Sequence, residues 1–250
     1  MEPPAGGRRE VNLFAQVVQW FLDPGNWSGT RGVPSRLADH LAYTVQALLI
    51  AAVIAVPLGA WIGHTRRGGF LVVGAANGLR ALPELGLLTL LVGLVGIGLL
   101  PLTIALVVLA VPPLLAGTYA GVRNTDPAVI DAARGMGMRE HEVLTKVELP
   151  IAVPLIIGGL RTATLQVIAT ATIGAYIGLS GLGRFLIDGL ARNDYTEMAA
   201  GAVLVAALAL VVEGLLGALQ RLIVSPGLRT AQTRRRAPRQ APVVAGGIAS

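Results

Sequence analysis

The chain has 250 residues, 54% hydrophobic and 14% charged, against roughly a quarter charged in an ordinary soluble domain. Apolar runs of about 20 residues or more have bilayer-spanning length, so a simple soluble globule is excluded and an integral membrane protein is expected. Cysteine is absent and the three histidines are scattered, which excludes disulfides, thiolate chemistry and a local metal motif. The excess of 20 Lys+Arg over 14 Asp+Glu fits cytoplasmic loops and anionic lipid rather than nucleic acid.

Residues 1–36 form an extension of mixed composition with Pro3, Pro4, Pro24 and Pro34. Its apolar piece, residues 11–22, is interrupted by Gln16 and Gln19 and is too short to span. It reads as a short amphipathic helix offering Phe14, Trp20 and Phe21 to an interface. Arg8 and Arg9 before it suggest a cleaved signal peptide, but the apolar core is short and no small-x-small cleavage site follows.

The first span is 41–63, without a charge and about 35 Å long as a helix. Arg66 and Arg67 follow it and place that turn in the cytoplasm. Residues 70–98 are apolar but interrupted by Arg80-Ala-Leu-Pro83-Glu84, and Pro83 breaks a helix there. This segment is one broken span or two short ones. Residues 101–119 give a third span containing Pro112 and Pro113. Residues 121–150 are polar and hold nine of the charged residues. The fourth span, 151–179, carries Pro154, Gly158, Gly159 and Arg161 in its first third, which moves the expected membrane boundary toward Thr162. A Gly-rich external loop at 178–194 precedes the fifth span, 196–222, with Glu213 near its end. The tail, 223–250, has five arginines from Arg229 onward and no acid, a disordered composition suited to lying against anionic lipid.

The fold class is therefore all-α, a polytopic membrane protein of five helices, six if the second span splits. Twelve basic residues fall on one side and six on the other, which puts the N-terminus outside and the C-terminus, with residues 121–150, in the cytoplasm.

Within 121–150, Asp126 before Pro127 is an N-cap with proline at the first helical position. Gly135 and Gly137 supply the stop. A second helix over 139–147 runs until Leu149-Pro150 turns the chain back into the membrane. The pair Ala132-Ala133 allows close approach of a partner, so the loop reads as a docking element; a solvated loop with helical propensity is the plainer alternative. Its nearly balanced charge speaks against DNA binding.

Asp131-Ala132-Ala133, three residues, Gly137, nine residues, Val147-Glu148-Leu149-Pro150 resembles the EAA loop of binding-protein-dependent ABC importer permeases. That pattern is Glu-Ala-Ala, three residues, Gly, nine residues, Ile, any residue, Leu-Pro; Asp131 and Val147 depart mildly from it. The resemblance covers residues 37–222. The segments RALPELGLL, PPLLAGTYAGVRNTDP and IGLSGLGRFLIDGL are similar to the osmoprotectant branch, which imports glycine betaine, carnitine, choline or proline betaine. It implies a MetI-like five-helix core forming half of a translocation pathway in a bacterial cell membrane. It also implies coupling to a cytoplasmic ATPase through Asp131, Ala132, Ala133, Gly137, Val147, Leu149 and Pro150. The implied partners are that ATPase, a second permease copy or paralogue, and an extracytoplasmic solute-binding protein. The lone Lys146 lies in no Gly-Lys-Ser/Thr pattern, so no cofactor is expected on this chain, and ATP and Mg belong to the partner. The chain is then not an enzyme.

Other readings weigh less. Ser180 resembles a nucleophile elbow, but residue 182 is Leu where G-x-S-x-G needs Gly, and no His follows His141. The glycines Gly181 and Gly183 with Ser180 form either a plain turn or a gate where a binding protein docks. Arg80 and Glu84, four apart, share a face if their helix is continuous, as a structural pair or as pathway lining. With Pro83 they mark the possible pathway. Glu213 is expected to be structural. A carrier working without ATP would show paired halves with matched broken spans, and only one such break exists. An ABC permease for another small solute, such as an amino acid, stays open.

Overall fold

A computed structural model describes residues 6–223. The basic tail beyond them, and the expectation of disorder there, lie outside the described residues. Ten α-helices follow in order: α1 Gly6–Leu22, α2 Val33–Thr65, α3 Gly69–Arg80, α4 Glu84–Val95, α5 Leu99–Arg123, α6 Pro127–Gly135, α7 Glu140–Glu142, α8 Leu149–Thr170, α9 Gly183–Arg192 and α10 Tyr195–Ile223. The described residues contain no strand. Four helical stretches are long and apolar enough to cross a bilayer: Val33–Thr65, Leu99–Arg123, Glu140–Ile177 and Tyr195–Ile223.

The centre of the fold is α5, held between α2 and α8 by small residues. Helix α2 presents Ala47, Ala51, Ala55, Gly59 and Gly63 at intervals of four, all buried. A Cβ on Gly59 would lie 2.9 Å from the Leu115 carbonyl, and one on Gly63 would lie 2.8 Å from Val122. Both numbers rise together along the two helices, so α2 and α5 run parallel. On its other side α5 meets α8 antiparallel: Gly117 faces Gly159, and Gly121 faces Ala152. Lipid is as apolar as leucine, so helices in a bilayer associate through close packing, and small residues at every fourth position permit it.

This geometry decides how 69–95 crosses. With α2 and α5 parallel, the segment between them must return the chain to the far end, so α3 and α4 together form one crossing. Each has 12 residues, about 18 Å apiece. The break falls where proline demands it: α3 ends at Arg80 with Ala81 as its C-cap, and Pro83 is the N-cap of α4. Five crossings result, which takes the one-broken-span alternative of the sequence over two short spans. Because the helix is discontinuous, the four-residue relation that would put Arg80 and Glu84 on one face does not hold. Glu84 instead sits in the first turn of α4, where a carboxylate complements the helix dipole; the Arg80 side chain lies outside the described atoms.

Helix α10 runs antiparallel to α8 and is tied to it by polar groups. Arg161 pairs with Glu213 and donates to Gln220 Oε1 at 2.7 Å, and the Gln220 amide donates to the Pro154 carbonyl at 3.1 Å. Glu213 thus has the structural role expected of it, with Arg161 as the partner that compensates its charge.

Two expectations need correction. Leu149-Pro150 does not turn the chain: helix continues from Glu140 to Ile177 through a π-helical stretch, Val143–Glu148. There the Leu149 N–H bonds the Leu144 carbonyl, and this i to i−5 register accommodates Pro150, which has no N–H to give. The loop 178–194 is also not merely a turn. It folds as α9, whose Phe185 packs with Val33 and Leu182. Beside it, α1 extends the expected amphipathic helix. Its Trp20 meets Phe185 edge-on at 5.3 Å, so that aromatic serves the protein's own interior.

The central packing yields a test. Gly117→Val puts a branched side chain 2.7 Å from the Leu155 carbonyl and 2.9 Å from Gly159 Cα, an overpacking that costs about 1–3 kcal/mol or more. It should lower the melting temperature in detergent by several degrees, while Gly214→Val, with nothing within 4 Å, leaves it unchanged.

Candidate functional site

The polar hairpin of 121–150 caps the end where α2 and α5 finish and α8 begins. It opens as the sequence dictates: Asp126 accepts from Ala128 N at 3.0 Å and Pro127 takes the first turn of α6. It reverses at Gly137, whose φ of +83° suits glycine. The Met138 N–H bonds the Ala133 carbonyl and the Gly137 N–H bonds the Arg134 carbonyl, closing the helix end. Arg139 then starts the return helix, its N–H donating to Glu142 Oε2 at 3.0 Å in a capping box.

The hairpin has its own small core of Ile130, Ala133 and Val143, with Met138 and Val147 packed against it. Ala133 is therefore turned inward, 2% exposed, and cannot offer its side chain to a partner. Its neighbours point out: Asp131, Ala132 and Gly137 are exposed, with Val129 and Met136, the latter 77% exposed. Val129, Ala132 and Met136 stand at helical spacing, a short apolar stripe flanked by charge. Leu149 packs on Ala60, Val122 and Ala152 and roots the return helix, while Pro150 is exposed.

Charge braces the hairpin against α2. Arg134 donates to both oxygens of Glu140, at 2.9 and 3.0 Å, and this hydrogen bonding holds its pKa above the usual guanidinium value. Glu140 Oε2 lies 3.3 Å from His64 Nε2, and His64 Nδ1 donates to Glu148 Oε2 at 2.5 Å. The Glu148 side chain is only 3% exposed. His64 ends α2, so a chain of contacts joins the hairpin tip, its return helix and the first crossing. Sequence reading missed both His64 and Glu148. They stand 84 residues apart, and only the α2–α5–α8 packing brings them together.

The other suspected residues fall at the opposite end or at the helix break. Gly181, with φ +114°, packs 3.5 Å (by its would-be Cβ) from His40 Nδ1, and a Cβ on Gly183 would strike the Thr172 backbone. Close approach therefore requires glycine at 183, whereas at 181 it is the left-handed backbone that favours it. Ser180 is half-buried and lines a cavity with Arg184 and Asp188. Pro83 breaks the helix, as described. Among the described residues no group of three His, Cys, Asp or Glu is placed to hold a metal ion.

A five-crossing helical membrane core with an ordered, braced hairpin at one end is the architecture of a transport permease. Residues 42–230 match the family described as "Binding-protein-dependent transport system inner membrane component", and the chain belongs to that family. Members of this family are permease subunits of ABC transporters in the bacterial plasma membrane and are not themselves enzymes. The chain is similar to the glycine betaine/carnitine/choline transport system permease protein OpuCB of Bacillus subtilis, 32% identical over 78% of this chain and 89% of that one. It is 33% identical to the carnitine transport permease protein OpuCD of Listeria monocytogenes, over 85% and 94%. With the osmoprotectant import permease protein OsmW of Salmonella typhimurium it shares 35% identity over 85% and 99%. Its fold is like that of the MetNI methionine ABC transporter in an inward-facing conformation, with a TM-score of 0.66 at 24% identity over 75% of this chain and 94% of that one.

The brace predicts a coupled loss. His64→Ala leaves a buried carboxylate without its partner, which costs about 1–3 kcal/mol or more. The melting temperature should fall and trypsin should cut faster at Arg134 and Arg139. Replacing both His64 and Glu148 by Leu should recover much of that stability, since no buried polar group is then stranded.

Proposed function

We propose that this chain is the permease subunit of an ATP-driven importer for small osmoprotectant-type solutes such as glycine betaine, choline, carnitine or proline betaine. Two permeases, identical or paralogous, enclose the path. The hairpin of 121–150 faces the cytoplasm and seats in a partner ATPase, which holds ATP and Mg. The N-terminus and α9 face outward, where a binding protein delivers solute. The single observation that carries this reading is the exposed face of α6: Asp131 and Ala132, with Gly137 at the reversal, occupy the positions of the family's EAA pattern on an ordered and braced hairpin. The solute class rests on relatives whose names specify it.

Mechanically, closure of the ATPase dimer pushes on α6. Ala133 and Val147 transmit the push within the hairpin, Leu149 and Pro150 carry it into α8, and the His64–Glu148 contact passes it to α2, so the crossings move as levers. The Ser180–Gly183 turn at the far end and, midway across, the broken α3–α4 crossing, from Arg80 through Pro83 to Glu84, border the path. Broken helices are where membrane proteins expose backbone and polar groups to a cavity.

Reconstitution with the cognate ATPase and binding protein tests the assignment. Gly137→Asp strains a backbone at φ +83° that side chains rarely adopt. It should cut ATP-dependent uptake of glycine betaine at least tenfold while the protein still inserts and assembles to normal levels. Full uptake by that variant would contradict the coupling role, and failure of the binding protein to bind any quaternary ammonium solute would contradict the substrate class.

A further inference from the structure

At the end opposite the hairpin lies a cavity of about 900 Å³, walled by the start of α2, by α9, and by residues 20–31. Its lining residues ahead of residue 42 lie outside the stretch that matches the family, and those from Gly178 to Glu197 lie within it. Trp20, Asp23, Arg36 and Phe185 are among its lining residues, and the Trp20 ring meets Phe185 edge-on at 5.3 Å.

Arg36 is the anomaly. Its side chain is 9% exposed, and its guanidinium stacks over the Phe185 ring with Cζ 4.1 Å from the centroid. Its one ion pair, Nη2 to Asp188 Oδ2, is 3.6 Å long, beyond hydrogen-bond reach. Asp188 is claimed more closely by Arg184, at 2.9 Å. Among the described residues, Nη1 has no hydrogen-bond partner at all. A guanidinium carries five donors, and a buried charge without hydrogen bonds is costly. No hydrogen bond opposes drawing this group toward the cavity.

The remaining charges tell which ligand completes it. Glu197 pairs with Arg192, and Asp194 is spent capping α10 through the N–H groups of Thr196 and Glu197. Asp23, also on the wall, accepts from the Gly25 N–H at 2.9 Å through one oxygen, and neither it nor Arg31 has an ion-pair partner among the described residues. The cavity therefore offers one hydrogen-bond-deficient buried cation and, among the same lining residues, a carboxylate without an ion-pair partner and an indole.

We propose that this cavity is a binding site for a small zwitterion, whose carboxylate takes the Arg36 guanidinium and whose cationic head lies by Trp20 and Asp23. A carboxylate matches the guanidinium fork with two parallel hydrogen bonds, and an indole face with a nearby acid suits an alkylammonium. The site sits where the solute would be received before translocation. It deepens, and rests on, the reading of the chain as a permease for such solutes. It makes Arg36 a selector for carboxylate-bearing solutes over a cation lacking one.

The test uses the permease–ATPase complex in lipid nanodiscs, titrated at constant ionic strength with glycine betaine, with acetate and with choline, binding being read from ligand-dependent thermal stabilisation. Wild type should be stabilised saturably by glycine betaine and less by acetate, and choline should bind at least tenfold more weakly than glycine betaine. Arg36→Gln should weaken glycine betaine at least tenfold and leave choline within twofold. Trp20→Ala should weaken glycine betaine but not acetate, and it keeps the test alive if the arginine variant does not fold. Absence of saturable stabilisation by either carboxylate, or an equal loss for all three probes in Arg36→Gln, overturns the site even when uptake is normal. Carboxylate-selective binding without ATP-driven uptake instead overturns the transport reading and leaves the site standing.

Discussion

The approach of α5 to its two neighbours is the constraint from which the rest follows. Gly59 and Gly63 let α2 lie against α5, and Gly117, Gly121 and Gly159 let α8 lie against its other side. No hydrophobic gain separates helix from lipid in a bilayer, so these contacts rest on fit alone. The fit sets directions as well as distances. Because α2 and α5 run parallel, the intervening segment must cross once, and the chain needs the Pro83 break to do so with two short helices. One long crossing and one broken one thereby arise from a single packing choice.

The same stripe places the polar residues. His64 follows Gly63 directly, and Glu148 stands four residues before Ala152, the contact of Gly121. Once the glycines are in register, the imidazole and the buried carboxylate have to meet. The hairpin is then a rigid extension of two crossings, with Arg134 and Glu140 fastening its tip. The proposed lever needs this property: the reversal at Gly137, the core of Ile130, Ala133 and Val143, and the brace at His64 leave no loose loop to absorb a push on α6.

Much of this was legible from the residues. Hydropathy located the crossings, proline the break, and Asp126-Pro127 the start of α6. The EAA spacing pointed to a docking hairpin, and the permease family confirms the class. What escaped did so for physical reasons. The helical continuity through Pro150 depends on a π register that residue type does not announce, and proline there reads as a stop. The inward turn of Ala133 follows from a core that forms only once Val143 returns beside it. Helix α9 hides in a segment whose glycines suggest a loop, although its amphipathic pattern from Phe185 to Leu190 is visible with hindsight. The small residues at intervals of four on α2 were in plain view, and a search for that spacing would have found the α5-facing side.

The most direct measurement exploits the absence of cysteine. A single thiol at Ala132, exposed, and separately one at Ala133, buried, can be crosslinked to the assembled complex with a short bifunctional reagent. The account predicts that Ala132→Cys captures the ATPase in an ATP-dependent way and that Ala133→Cys does not. Capture from neither position, with solute uptake unimpaired, would contradict the claim that this hairpin joins the membrane core to its motor.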